Sequence, residues 1–296
     1  MIMDGSGIHY SKPSNFSLKG ILKLIRWPNL LIIAVSQYLS AIFLVGPPKL
    51  FTQYLGDFKL FLICVSTVMI AAAGYIINDY YDVKIDYINK PEKVVVENIL
   101  KRRVAMLIHT GLNVLGLIAG LLVSLKIALI NLGASIWLWG YSNQLKRMPF
   151  VGNLSVALLS GLAIAIIGIH YKPGNTVVYI YAIFAFFVSL IREIVKDIED
   201  LKGDATFGCR TLPVIWGIRS TKSLILVLIL LFSLIFIQMT TEIESRNIYY
   251  FFTALSVPAV VFVYKLWMAD TTKHFKQLSN YLKLFMLLGI FSMTLV

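Results

Sequence analysis

The sequence predicts an all-α, polytopic membrane protein with nine transmembrane helices. Three observations predict it. Of the 296 residues, 58% are hydrophobic and only 14% are charged, with a mean hydropathy of +0.79. Soluble domains hold about 45–50% apolar and about 25% charged residues. Apolar runs of bilayer length recur along the whole chain. The basic residues fall almost entirely on one side of those runs. This composition excludes an ordinary soluble fold and excludes disorder. The net charge of +12 is not a nucleic-acid signal, because Lys and Arg collect in cytoplasmic loops of membrane proteins.

The elements follow in order. The first run, Leu30–Val45, comes after a basic stretch with Lys12, Lys19, Lys23 and Arg26. No cleavable signal peptide is expected, since residues 1–20 are polar. The second run, Leu60–Ile77, passes into an acidic window. The third, Val104–Leu125, and the fourth, Ile127–Tyr141, are separated only by a turn at Lys126, and the fourth extends into polar flanks. The fifth is Leu154–His170, and the sixth, Val177–Ile191, leads into a second acidic window. Leu224–Met239, Ile248–Trp267 and Tyr281–Val296 complete the set. Most runs are about 16–22 residues, which suits a bilayer helix. They are continuously apolar rather than alternating, so helices are expected and not barrel strands.

With nine crossings the loops alternate sides. One side receives only Lys49, Lys59, Lys126, Lys172 and Arg246, which leaves 22 of the 27 Lys and Arg on the other. The positive-inside rule makes the basic side cytoplasmic. The expectation is one transmembrane domain over residues 1–296, with residues 1–20 as a polar cytoplasmic segment. It is an integral protein of the cell's inner (plasma) membrane, with its N-terminus in the cytoplasm and its C-terminus opposite.

The acids carry the sharper signal. Of fifteen Asp and Glu, ten fall in two windows: Asp79, Asp82, Asp86, Glu92 and Glu97, then Glu193, Asp197, Glu199, Asp200 and Asp204. Each window begins at the cytoplasmic end of a span. The first reads GYIINDYYDVKIDYINKPEK from Gly74. If the second helix continues, Asp79, Asp82 and Asp86 lie about 100°, 40° and 80° around it from Asn78. An amide and three carboxylates then share one face. Such like charges repel, and a hard cation such as Mg2+ relieves them with oxygen ligands. The bland alternative is a solvated helix end paired with Lys84, Lys90 or Lys93.

The second window reads IREIVKDIEDLKGDATFGCRTLP from Ile191. Asp197, Asp200 and Asp204 lie about 40°, 340° and 20° from Glu193, while Glu199 points elsewhere. Its alternative is a charged loop of alternating Lys and Asp. Facing each other, the two stripes would hold divalent cations and, through them, a diphosphate. The two cysteines, Cys64 and Cys209, suggest neither a disulfide nor a metal site. The four histidines are scattered and show no metal-ligand spacing.

These residues resemble the UbiA superfamily of membrane prenyltransferases. NDYYDVKID matches its NDxxDxxxD signature, and KDIEDLKGD resembles its second Asp-rich motif. YSNQLKRMPFVGN from Tyr141 and IRWPN from Ile25 resemble two further stretches of the family. The resemblance implies a helical bundle around a central cavity, with the Asp-rich loops capping its cytoplasmic mouth. It implies Mg2+ as cofactor, an isoprenyl diphosphate donor, a lipophilic acceptor and membrane lipid as partners, and no nucleic acid.

On this resemblance the metal candidates are Asn78, Asp79, Asp82, Asp86, Glu193, Asp197, Asp200 and Asp204. The catalytic candidates are Asp79, Asp82, Asp200, Asp204, Lys146 and Tyr141. Arg26, Asn29, Lys93, Lys146, Arg147 and Asn153 are candidates for substrate contact. Lys146 stands either as a diphosphate contact or as a positive-inside anchor. Tyr141 stands either as a ring shielding an allylic cation or as an interfacial aromatic. After Asp86 the chain reads NKPEKVVVE, so Lys90 and Lys93 stand where family members commonly carry arginines. A lysine offers phosphate a point charge without the bidentate fork.

The forms INKP and REIVKDIEDLKGDATFGCRTLP look most like the branch that alkylates geranylgeranylglycerol phosphate to make an ether lipid. Aromatic-acceptor enzymes of menaquinone- or ubiquinone-type synthesis are the alternative. A polytopic transporter or a non-catalytic prenyl-lipid-binding protein is the alternative of another class. Transporter carboxylates commonly lie near the bilayer midplane, whereas these acids lie at span ends.

Overall fold

The computed structural model describes residues 2–3, 9–10, 18–46, 51–91, 94–240 and 246–296. The helices among them are α1 (Leu18–Leu24), α2 (Trp27–Val45), α3 (Phe51–Leu55), α4 (Phe58–Asn89), α5 (Arg102–Val123) and α6 (Leu125–Asn143). They continue with α7 (Val151–Tyr171), α8 (Thr176–Glu199), α9 (Leu201–Thr206), α10 (Leu212–Thr240), α11 (Arg246–Met268) and α12 (Thr272–Phe291). Among the described residues, β pairing amounts to a two-residue ladder, Ile2–Met3 with His9–Tyr10, and one bridge, Val96 with Leu100.

Among the described residues, seven helices are long and apolar enough to cross a membrane: α2, α4, α5, α7, α8, α10 and α12. The fourth and eighth expected spans also form helices, α6 and α11, but neither joins those seven. Asn131, Trp137, Trp139 and Tyr141 dilute α6, and among the described residues α11 contributes the apolar stretch Thr253–Met268. By length and composition the described residues account for seven of the nine expected spans.

Two helices outrun their apolar runs. The apolar run ending at Ile77 is carried on to Asn89, and the one ending at Ile191 is carried to Glu199. Polar residues can extend a helix once its apolar face is packed. Pro91, two residues past the end of α4, cannot continue it.

The chain forms two compact units, residues 1–34 with 61–145, and residues 35–60 with 146–296. In the first, Leu24, Ile76, Val83, Val94, Val95, Val96, Leu100 and Ala105 make a buried cluster. It packs α1 and the 94–100 loop against the end of α4, where the first acidic motif sits. Deeper in the unit, α4 and α5 approach closely at Gly116, where an added Cβ would lie 3.2 Å from the Ser66 carbonyl oxygen. Close backbone approach through a small residue is a membrane-helix device. A polar chain binds the same helices. His109 meets the Ala73 carbonyl oxygen at 2.9 Å, Asn113 reaches His109, and Ser135 on α6 donates to Asn113 at 2.7 Å.

In the second unit α8 is the central helix. Its Leu190, Ile191, Ile194, Val195 and Ile198 pack with Ala157 of α7, Ile225 of α10, Phe262 of α11 and Leu278 and Leu282 of α12. Phe184 stacks on Phe285 with ring centroids 5.9 Å apart. The start of α8 is fixed by Asn175, which accepts from the Val177 and Val178 amides and donates to the Leu44 carbonyl. That is an ordinary N-cap. Gly217 breaks α10 near its start with φ of 76°, a left-handed value glycine adopts without strain.

Large apolar side chains line the outer faces: Leu107, Leu115, Leu121 and Leu122 on α5, and Val227, Leu230 and Leu234 on α10 are all exposed. In water such patches would drive aggregation. In a bilayer they face lipid.

Candidate active site

The first motif occupies the last three turns of α4 in the first unit. Asn78, Asp79, Asp82 and Asp86 all lie on that one helix, so the helical reading of this stretch holds. Arg26 sits between α1 and α2 with φ of 53°. Left-handed backbone at a non-glycine costs about 1–3 kcal/mol and persists where surroundings impose it. Here its Nη2 donates to Asp79 Oδ1 at 2.7 Å, and the guanidinium lies 5.0 Å from the centre of the Tyr75 ring. Partial burial works against charge on Arg26. The carboxylate of Asp79, with Tyr75 and Asp86, outweighs it and holds the Arg26 pKa raised. Asn29 stands in the first turn of α2, its backbone N–H donating to the Arg26 carbonyl at 2.8 Å.

The loop after the motif is also tied down. Arg102 pairs with Glu97 at 2.7 Å and lies over the Tyr80 ring, and Tyr87 donates to Asn98 at 2.6 Å. Lys93, with Glu92, lies outside the described residues. Tyr141 is half-buried near the end of α6.

The second motif lies in the second unit at the junction of α8 and α9. The helix stops at Asp200, whose φ and ψ are −95° and 5°, and resumes at Leu201. Asp204 therefore rides on α9 and does not extend the α8 stripe. Gly203 lies inside α9. Asp197 Oδ2 accepts from Asn153 Nδ2 of α7 at 2.7 Å. Asp204 Oδ2 accepts from Thr211 Oγ1 at 3.3 Å. Glu193 is held on both oxygens, by Arg192 Nη1 at 2.9 Å and Lys196 Nζ at 2.7 Å. Lys146 and Arg147 form a short 3-10 turn, and the Arg147 carbonyl accepts from the Arg210 amide at 2.9 Å. That bond joins their turn to the loop following Asp204. Lys146 is half-buried and Arg147 exposed.

Among the described residues, no three His, Cys, Asp or Glu side chains are gathered closely enough to hold a metal ion. The donor chemistry still fits a hard cation: the candidates are carboxylates and one amide, all oxygen ligands. Like charges spread apart when each finds its own partner, as Asp79 does in Arg26, Asp197 in Asn153 and Asp204 in Thr211. Glu193 differs from these, since two cations already take its charge.

Sequence reasoning missed Arg192, Lys196 and Thr211 as partners of the motif. The first two were visible as neighbours of Glu193 at i−1 and i+3. Thr211 and the 44-residue separation of Asn153 from Asp197 left no local signal.

The chain is similar to known proteins along nearly its whole length. A model of the UbiA prenyltransferase family matches residues 34–289. The digeranylgeranylglyceryl phosphate synthase of Saccharolobus solfataricus is 32% identical over 282 residues, covering 94% of this chain and 97% of that protein. A solved structure concerned with digeranylgeranylglyceryl phosphate synthase superposes with a TM-score of 0.71 at 23% identity, covering 94% of this chain and 97% of that one. A UbiA homolog from Archaeoglobus fulgidus bound to GPP and Mg2+ superposes with a TM-score of 0.69 at 17% identity, covering 94% of this chain and 100% of that one.

Proposed function

This chain belongs to the UbiA prenyltransferase family, and from that premise we propose that it prenylates the free glycerol hydroxyl of geranylgeranylglycerol phosphate. The donor in this reading is geranylgeranyl diphosphate and the product is a diether lipid phosphate. The observation that carries it is the near end-to-end similarity to a protein named digeranylgeranylglyceryl phosphate synthase. The hydroxyl oxygen forms a bond to C1 of the prenyl chain as the bond from C1 to diphosphate breaks. The hydroxyl proton leaves with the diphosphate.

Asn78, Asp79, Asp82 and Asp86 of the first motif, and Asp197, Asp200 and Asp204 of the second, are the residues we assign to Mg2+. Bound Mg2+ supplies Lewis-acid stabilisation of charge on the departing diphosphate. The oxygen-only donor set and the family relative with GPP and Mg2+ support the assignment. Arg26 steadies Asp79, and Asn153 orients Asp197. Ligand carboxylates are commonly aimed by such outer hydrogen bonds. Lys146 and Arg147 neutralise diphosphate charge. Tyr141 shields the developing allylic cation with its ring face. Glu193 holds Arg192 and Lys196 in place rather than metal.

We place both motifs on the cytoplasmic side of the plasma membrane, with the N-terminus there. The sorting of Lys and Arg over nine crossings, α6 and α11 included, supports this orientation, and nine crossings put the C-terminus opposite.

The test crosses geranyl, farnesyl and geranylgeranyl diphosphates with geranylgeranylglycerol phosphate and with aromatic acids. The purified protein with Mg2+ should yield product from the glycerol phosphate lipid. Product from aromatic acids alone would give the chain to quinone synthesis instead.

A further inference from the structure

Asp204 stands on α9, a helix of six residues, Leu201–Thr206. Isolated helices shorter than about 12 residues are marginal. Packing adds little here: Gly203 is buried, but Lys202, Ala205 and Thr206 are exposed. The aim of the Asp204 carboxylate therefore depends on what ties α9 down from outside.

The tie is the segment that follows. The Gly208 N–H donates to the Ala205 carbonyl at 3.4 Å, and the Cys209 N–H donates to the Asp204 carbonyl at 2.9 Å. This pair of bonds is the Schellman ending of a helix, and its left-handed residue is Gly208, with φ of 68°. Two residues on, Thr211 Oγ1 donates to Asp204 Oδ2 at 3.3 Å. Asp204 is thus held twice by one segment, at its backbone by Cys209 and at its carboxylate by Thr211. The segment is itself fixed. Cys209, Thr211 and Leu212 are buried, and Leu212 belongs to the core of the second unit. The Arg210 N–H donates to the Arg147 carbonyl at 2.9 Å, and the Thr211 carbonyl accepts from the Val214 and Ile215 amides of α10 at 3.1 Å. A threonine just before a helix ordinarily lends its side-chain oxygen to that helix. The hydroxyl has one proton to donate, and here it goes to a carboxylate of the second motif.

We propose that Thr211 is a positioning residue for Asp204, aiming its carboxylate for the Mg2+ that binds with the donor diphosphate. This rests on the reading of Asp204 as a metal ligand. A neutral hydroxyl aims a carboxylate without cancelling its charge, in contrast to the two cations held on Glu193. Outer-shell partners of this kind commonly set how tightly a ligand carboxylate takes its metal.

The test uses the full chain in nanodiscs and reads binding rather than turnover. The probe is geranylgeranyl S-thiolodiphosphate, a donor analogue that resists release of its chain, titrated with Mg2+ in the absence of acceptor. Thr211→Val keeps the side-chain shape and removes the hydroxyl. It should raise the Mg2+ concentration for half-maximal binding about tenfold, with full binding recovered at saturating Mg2+. Thr211→Ala should shift it in the same direction, and Thr211→Ser, which restores the hydroxyl, should stay near native. Asp204→Asn should shift it too, and adding Thr211→Val to that variant should change nothing further, because the two residues act as a unit. A Thr211→Val curve that matches native overturns the proposal. So does a Thr211→Ser curve that falls with Thr211→Val, or a full valine shift in the Asp204→Asn background, since either describes a role in stability alone. Native binding that needs no Mg2+ overturns the metal reading and this proposal with it. A native chain that binds the analogue with Mg2+ but transfers nothing to the glycerol phosphate lipid loses the acceptor reading only, and the Thr211 comparison still decides the proposal.

Discussion

Asn153 shows what a residue of the site does beyond its place in a motif. The sequence offered it as a substrate contact, and the structure gives its amide to Asp197 at 2.7 Å. Asn153→Ala removes that donor and leaves Asp197 less firmly aimed. The Mg2+ concentration for half-maximal activity should rise roughly tenfold to a hundredfold, the usual cost of losing an outer-shell partner. A Mg2+ titration of activity reads it. Arg26 makes the complementary case. Arg26→Gln strips the cation from Asp79, whose side chain is 13% exposed while that of Arg26 is 37% exposed. Loss of the partner should cost about 1–2 kcal/mol once solvent screening is allowed for. Chemical unfolding in detergent measures it. Which acids belong to the motifs was legible from residue spacing alone. Which partner each acid takes was not, because Arg26–Asp79 and Asn153–Asp197 join residues 53 and 44 positions apart.

The helices show where periodicity and hydropathy stop being informative. The nine apolar runs all lie on helices, since continuous apolar stretches have few other solutions in lipid. Hydropathy alone stops short of the helix ends where polar residues continue the helix, as at Asn89 and Glu199. Packing between helices was also hidden, because glycine's use depends on its neighbour. At Gly161 of α7 an added Cβ would sit 2.9 Å from the Ala182 carbonyl oxygen of α8. Gly161→Val should therefore destabilise by about 1–3 kcal/mol, the common cost of overpacking. At Gly111 of α5 nothing lies within 4 Å of the added atom. Gly111→Ala should be neutral or stabilising by up to about 1 kcal/mol through helix propensity. Thermal unfolding of the two variants side by side checks both signs.

At the scale of the whole molecule, the proposed direction in the membrane rests on charge sorting. Lys202 and Lys172 are both exposed, and the sorting puts them on opposite sides. Cys64 and Cys209 are buried, so native thiols give little background to labelling. Lys202→Cys should react with an impermeant maleimide only from the cytoplasmic face, and Lys172→Cys only from the other. Labelling of both from one face would undo the orientation. The family was readable from sequence through its two acidic motifs, whereas the orientation stands as a proposal drawn from composition. The acceptor was only suggested by the wording around them.

The central claim is that the two Asp-rich motifs act together in Mg2+-dependent prenyl transfer. Its most direct test measures prenyl ether formation from labelled geranylgeranyl diphosphate by the native chain, Asp82→Asn and Asp200→Asn, with and without Mg2+. The native chain should form product only with Mg2+. Each variant should lose about a hundredfold or more in kcat while unfolding at a similar temperature. Transfer that persists in both folded variants, or that proceeds equally well without Mg2+, would contradict the account.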